Sequence, residues 1–280
     1  TLKALHFPES MEDIEKAKRR MGFEELLIYQ SAIKVLIIKQ KDKKGFSFNI
    51  DGGLKKEFIS LLNYRLTGAQ LRTIEEISSD MKKQSPMNRI VQGDVGCGKT
   101  IVALYALFAA AKNGKQSAFI APTEILAKQH FSEAEKLFGN LGIRSELMTG
   151  NMSQGKKKEI LAGLKDGSIQ IIIGTHAVLQ ENVEFKELGL AITDEQHRFG
   201  VRQRAAISAK GNYPDLLVMS ATPIPRTLSL SLLGDLDISV IDEMPAGRKP
   251  VKTRCVPNEK IKGMYQYIKD QVKQGRQGYI

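Results

Sequence analysis

Eight consecutive residues, Gly93-Asp94-Val95-Gly96-Cys97-Gly98-Lys99-Thr100, combine what a phosphate group demands: a chain supple enough to turn its N–H groups inward, and a cation to offset charge. The pattern is glycine, four residues, then Gly-Lys-Thr. It stands between an apolar run and an amphipathic stretch, the strand and helix context that separates such a loop from a chance match. Glycines reach backbone conformations closed to other residues, so successive N–H groups can surround phosphate oxygens at a helix N-terminus. Lys99 is placed to neutralise the β and γ phosphates, and the Thr100 hydroxyl to take one position on Mg²⁺. A dinucleotide loop does not fit, because its second glycine would fall on Val95. Cys97 reads as a small residue that suits the turn. About a hundred residues later, Asp194-Glu195 follows the apolar run Gly189 to Thr193. The carboxyl ends of parallel strands face the ligand crevice, so this pair is expected to meet the phosphates. Asp194 would hold Mg²⁺ through water, and Glu195 would orient and deprotonate the attacking water.

These residues need strands and helices to hold them. From Arg89 onward, short apolar runs alternate with amphipathic stretches, the pattern of strands and crossover helices. Strands are predicted at 89–92, 117–121, 144–149, 169–174, 189–193 and 216–220, with helices at 99–112, 124–138 and 153–165. Several strands are apolar without alternation, as expected when both faces are covered by helices. The fold class is therefore α/β, doubly wound on a parallel sheet. Upstream, residues 8–44 read as helix, opened by Ser10 with Asp13 three residues on. Ile14, Ala17, Met21, Leu27 and Ile28 form its expected buried stripe, and Gly22 is a candidate break. Downstream, Met244-Pro245-Ala246-Gly247-Arg248-Lys249-Pro250 reads as a linker. A strand at 251–256, a helix at 259–273 and a strand start at 277–280 follow, too little to bury a core. Three regions result: a helical connector (1–62), a nucleotide-binding domain (63–243), and a linker with the opening of a further domain (244–280).

Apolar runs such as Val35 to Ile38 and Ile171 to Ile173 fall far short of the ~20 residues that span a bilayer. The first ten residues lack the basic and apolar segments of a signal peptide. The two cysteines, Cys97 and Cys255, are too few and too far apart for a disulfide framework or zinc site, so a reducing, cytoplasmic setting is expected. Both ends read as cuts, with no initiating methionine before Thr1 and a strand just opening at Gly278-Tyr279-Ile280. The net charge of +11 is uneven: residues 1–62 hold 12 basic and 9 acidic side chains, 63–243 hold 21 and 20, and 244–280 hold 9 and 2. Most of the excess lies at the C-terminal end. Charge alone therefore argues only weakly for nucleic acid at the central region. Lys156-Lys157-Lys158 reads as a solvated helix start.

The motifs, taken in order, resemble those of superfamily 2 helicases. Asp194-Glu195-Gln196-His197 is similar to their second motif and Ser220-Ala221-Thr222-Pro223 to their third. Pro122-Thr123-Glu124 and Gly174-Thr175-His176 resemble the strand-contacting motifs, and Gln70 in Leu66-Thr67-Gly68-Ala69-Gln70 resembles the adenine-reading glutamine. The runs Asp194 to Val201 and Thr222 to Leu228, with His6-Phe7-Pro8 and Phe23-Glu24-Glu25-Leu26-Leu27, resemble the RecG family of branched-DNA translocases. The resemblance covers almost the whole chain. It implies a RecA-like lobe that binds ATP and Mg²⁺ and works on forked or branched duplex DNA in repair and recombination. It further implies an upstream wedge domain and a second helicase lobe whose arginines complete the ATP site; neither lies in these residues. By the same resemblance, His197 and Gln196 sense phosphate, while Ser220, Thr222 and Arg226 couple hydrolysis to motion. Thr123, Gly150, Thr175 and His176 would grip DNA phosphates without reading sequence. Tyr64 either stacks on the adenine or belongs to the core.

A transcription-repair coupling translocase shares a close relative of Arg198-Phe199-Gly200-Val201; Gln196-His197 and the upstream helix favour the RecG type. A GTPase or small-molecule kinase would leave Ser-Ala-Thr-Pro unexplained, and no Asn-Lys-x-Asp or Thr-Lys-x-Asp guanine reader occurs. A nucleotide-independent DNA-binding scaffold would be expected to lack Lys99 or Glu195, and both are present.

Overall fold

The computed structural model describes residues 2–41, 43–194, 207, 210–221, 236–245, 253 and 255–279. Two short and long N-terminal helices, α1 (Leu2–His6) and α2 (Met11–Lys41), precede α3 (Gly52–Ser60) and α4 (Gly68–Met81). There follow β1 (Asn88–Gly93), α5 (Lys99–Lys112), β2 (Gln116–Ile120), α6 (Glu124–Phe138), β3 (Ser145–Met148), α7 (Gln154–Asp166), β4 (Ile171–Gly174), β5 (Leu188–Asp194), β6 (Asp215–Ser220), β7 (Asp237–Ile241) and α8 (Ile261–Lys273). The strands form one sheet in the order β3-β4-β2-β5-β6-β1-β7. Every pairing is parallel.

Both faces of the sheet are covered, and the alternation of side chains along each strand decides which core each residue joins. Val91, Phe119, Ile171, Ile173, Leu190, Ile192, Leu217 and Met219 point to the face covered by α3 to α6. Ala118, Ile120, Ile172 and Ala191 point to the opposite face, against Ile160 and Leu164 of α7. Helix α5 lies at the centre of the first face and is buried on all sides from Ile101 to Ala111, which its nearly unbroken apolar sequence permits. Phe58 meets Tyr105 edge-on at 5.3 Å and Phe108 at 5.6 Å, and Phe108 stacks on Phe138 at 6.0 Å. Tyr105 shares a 2.7 Å hydrogen bond with Ser78. These contacts bind α3, α4 and α6 around the helix that begins at Lys99.

All six predicted strands and the three predicted crossover helices are present within two residues of their expected ends. The seventh strand, β7, was not foreseen; it lies beside β1 at the sheet edge. The N-terminal segment differs from expectation as well. It forms two helices with Pro8 in the turn between them, and Gly22 continues the long helix, since a single glycine costs only about 1 kcal/mol against alanine. The Ser10 hydroxyl accepts from Asp13 N–H at 3.2 Å and donates to the Asp13 carboxylate at 2.8 Å. Of the expected stripe, Ala17 is buried, but Leu27 and Ile28 are exposed. Phe48, Ile50 and Phe58 lie within the main core, so tight packing begins ahead of residue 63.

The chain divides into two compact units, Thr1–Pro245 and Ala246–Ile280. In the second, α8 forms close to its predicted position. The strands expected on either side are not found at residues 253, 255–256 and 277–279; a strand needs a partner, and so short a unit offers none.

One buried carboxyl bears on stability. Asp215 opens β6, and its Oδ1 accepts from Met87 N–H at 2.7 Å while Oδ2 has no partner among the described residues. Burial pushes this carboxyl up to about 8; the Met87 bond opposes the shift and the charge of Asp80 adds to it. The folded protein thus holds a proton that the unfolded chain releases near the ordinary carboxylate value. Stability from this group is full below about pH 4 and declines as pH rises to about 8, by up to ~1.4 kcal/mol per unit. Asp215→Asn, neutral throughout, is expected to flatten the urea-unfolding free energy between pH 5.5 and 8 and to match or exceed the unsubstituted protein at pH 8. Parallel curves for the two proteins would contradict this.

Candidate nucleotide and nucleic-acid site

The phosphate-loop residues bridge the end of β1 and the start of α5. Helices α3, α4, α6 and α7 are each capped by a side chain, from Asp51, Thr67, Thr123 and Ser153. Helix α5 instead opens on Gly98 at φ +88°, with no side-chain cap. The Lys99 N–H turns back to the Cys97 sulfur, and glycine at the N-cap offers the first turn no side-chain acceptor. Cys97 N–H donates to Asp94 C=O at 3.1 Å and tightens the turn. The Lys99 ammonium rests on the loop, donating to the Gly93 carbonyl at 2.7 Å and the Asp94 carbonyl at 3.0 Å. Gly96, Asp94 and Val95 are exposed at the rim, whereas Cys97 is buried, and that burial pushes its thiol up.

Gln70 is buried directly behind this loop. Its Nε2 donates to Cys97 C=O at 2.8 Å, and its Oε1 accepts from Thr67 N–H at 2.9 Å, completing the capping box of α4. Among the described residues the amide's second N–H and second lone pair meet no partner. A Cβ at position 98 would lie 2.2 Å from Gln70 Nε2, so the glycine is needed for this contact as well as for its φ. Tyr64 is 56% exposed; of its two readings the core one is set aside. Partial burial, then the charge of Glu133, pushes its hydroxyl up.

Asp194 ends β5, level with Met219 of β6 and Val91 of β1. Two strand spacings, about 10 Å, therefore separate it from the strand that carries the loop. Its parity matches Leu190 and Ile192, which face α5 and α6. On that side its Oδ2 meets His130 Nε2 of α6 at 3.0 Å. Buried Ser220 ends β6, between the two. Glu195, Gln196, His197, Thr222 and Arg226 lie outside the described residues.

The other half of the sheet edge collects the residues expected to grip DNA. Strands β3, β4 and β2 are neighbours, so Gly150, Thr175-His176 and Thr123 emerge side by side. Ala121 N–H donates to Gly174 C=O at 2.8 Å and Thr175 N–H to Met148 C=O at 3.3 Å. Thr123 is exposed, and its hydroxyl accepts from Leu126 N–H at 3.3 Å while its own hydrogen stays available. A Cβ at Gly150 would lie 3.6 Å from Glu124 Oε1, which places these two loops in contact. By contrast Lys156 pairs with Glu146 and Glu159, and Lys157 donates to Gln180, as a solvated helix start should.

Comparison with known proteins agrees with this layout. The family model described as DEAD/DEAH box helicase matches residues 67–230. The chain belongs to the DEAD/DEAH box helicase family. Within it, the chain is 46% identical over 276 residues to the ATP-dependent DNA helicase RecG of Thermotoga maritima, covering 99% of this chain and 35% of that protein. It is 45% identical over 280 residues to the RecG of Bacillus subtilis, covering all of this chain and 41% of that protein. The chain thus spans well under half the length of these relatives. A solved structure of RecG bound to a three-way DNA junction superposes with a TM-score of 0.85 at 42% identity, over 97% of this chain and 37% of that one.

Sequence reasoning brought the phosphate loop, Asp194 and the strand-end loops to the carboxyl edge of one sheet, and the structure places Gly93, Asp194, Thr123, Gly150 and Thr175 along it. That reasoning passed over His130, a lone histidine in an amphipathic helix with its partner 64 residues away. It also missed that Gln70 braces the loop from behind, although Thr67 and Gln70 at capping-box spacing pointed to a helix start.

Proposed function

We propose that this chain is the ATP-binding lobe of a RecG-like DNA translocase, preceded by a helical connector (1–62) and followed by the opening of a second lobe (244–280). The observation that carries the reading is the uncapped, glycine-led start of α5, with Lys99 at its mouth, on the sheet edge shared with Asp194. This donor set fits a triphosphate and its Mg²⁺: the N–H groups of a helix start without a side-chain cap, the Lys99 ammonium, the Thr100 hydroxyl and a carboxylate. Lys99 leaves the loop carbonyls for the β and γ phosphates, and Thr100 with Asp194 holds the ion. When bound, Mg²⁺ offsets phosphate charge. Glu195 positions and deprotonates the attacking water, and Gln70 with Tyr64 holds the adenine.

Thr123, Gly150, Thr175 and His176 take the phosphates of branched duplex DNA, without sequence preference. Through Gln196, His197, Ser220, Thr222 and Arg226, closure and reopening against a second lobe become steps along DNA. Repair and recombination in the cytoplasm is the corresponding role. The test is steady-state phosphate release with and without forked duplex. The full-length protein should be stimulated by the fork. These 280 residues should bind ATP yet turn over slowly, for want of a second lobe's arginines. A full-length protein indifferent to forked DNA, or brisk fork-stimulated turnover by this chain alone, would contradict the reading.

A further inference from the structure

Helix α6 is capped by Thr123, among the loops assigned to nucleic acid, and packs on the same face of the sheet as α5. At its seventh residue the side chain turns inward: His130 is 4% exposed and packs its ring on Phe119 at 4.5 Å. Its Nε2 lies 3.0 Å from Asp194 Oδ2. A carboxylate can only accept, so the ring hydrogen sits on Nε2. Nδ1 is buried and meets no partner among the described residues. Burying a polar nitrogen without a partner costs about 1–3 kcal/mol, a cost that packing alone would remove by placing leucine or phenylalanine there. The histidine is therefore kept for its other nitrogen.

We propose that His130 is a positioning residue: it holds the Asp194 carboxylate in the orientation that receives Mg²⁺ and joins that carboxylate to the helix whose first turn faces nucleic acid. The proposal rests on the nucleotide reading above and adds a residue to it. With one oxygen held by His130, Asp194 presents the other to the crevice, so the water that links it to the ion meets a fixed acceptor. Partners that orient metal-binding carboxylates alter metal affinity by about 10- to 100-fold when removed. Any shift of α6 on binding DNA reaches the carboxylate through the same bond.

The test compares the full-length protein with His130→Phe, which keeps the ring packing and loses the donor, and His130→Gln, whose amide nitrogen can replace Nε2. Mn²⁺ affinity in the presence of ADP is read from the spin-resonance signal of the free ion, independently of turnover. His130→Phe should weaken Mn²⁺ by about 10-fold or more, while His130→Gln stays within about threefold. Nucleotide affinity in excess chelator should be alike in all three. Equal Mn²⁺ affinity in all three proteins, or equal weakening in both variants, would overturn the role of His130 and leave the nucleotide reading standing. Failure of the unsubstituted protein to bind nucleotide or Mn²⁺ would overturn both. A second measurement needs no variant. In ¹⁵N-histidine spectra of the four histidines, one Nε2–H should exchange slowly with water and shift when Mg²⁺ and ADP are added. A spectrum unchanged by the ion would overturn the proposal.

Discussion

Lys99→Ala is expected to lower ATP turnover by at least about a hundredfold while leaving the fold intact. The side chain makes its hydrogen bonds to two loop carbonyls, Gly93 and Asp94, at the open rim of the crevice, so its loss exposes those carbonyls to water rather than stranding them. Little stability is at stake. Catalysis is another matter, because negative charge gathers on the γ-phosphate in the transition state and this ammonium is the cation the loop brings to it. Removing one preorganised donor to a developing charge typically costs about 3–4 kcal/mol, or 10²- to 10³-fold. Phosphate release by the full-length protein, alongside thermal unfolding of the same sample, checks both halves. Turnover within threefold of the unsubstituted protein, with matching melting curves, would remove Lys99 from the mechanism and with it the assignment of the loop.

The second large effect concerns stability. Arg89, on β1, is almost wholly buried and reaches three side chains on two elements: Asp80 of α4 at 2.6 Å, Ser239 of β7 at 2.8 Å, and Glu76 of α4 at 3.3 Å. Ser239 also donates to Glu76. Such a network costs much desolvation to assemble, so its net contribution is modest, yet removing Arg89 strips the buried Asp80 carboxylate of its buried partner and leaves it only the exposed Lys83. Arg89→Ala should therefore cost about 3–5 kcal/mol in urea unfolding, and β7 should loosen first, because Arg89 bridges it to α4. Arg89→Leu combined with Asp80→Asn should cost less than Arg89→Ala alone. A loss below about 1 kcal/mol for the alanine variant would show the network to be incidental.

Legibility of the chain followed burial. Strands such as Ile171–Gly174 and Leu188–Asp194 are apolar on both faces because helices cover both, and that continuity marks them in the sequence. β7 alternates weakly, with a buried Ser239 that accepts from Arg89, and no local pattern reports a partner so far away. The same limit applied at the site. A glycine-rich loop carries its chemistry within eight residues and can be read directly. The His130 to Asp194 bond exists only once β2 and β5 lie side by side, and a solitary histidine says nothing of that. In α2 the error ran the other way: Leu27 and Ile28 have helical spacing for a buried stripe, yet nothing in the described residues covers them.

The place of β1 in the sheet sets an order of events during synthesis. Its neighbours are β6 and β7, so the strand that shapes the phosphate loop leaves the ribosome long before either partner exists. At ordinary elongation rates of about 5–20 residues per second, the stretch from Gly93 to Ile241 takes on the order of 10–30 s to appear. Until then β1 has no strand to pair with, and the largely apolar α5 has only part of its sheet to cover. The nascent chain must keep them from other company, by chaperone or by local helix formation, and the loop can take up nucleotide only after the last of its strands has arrived.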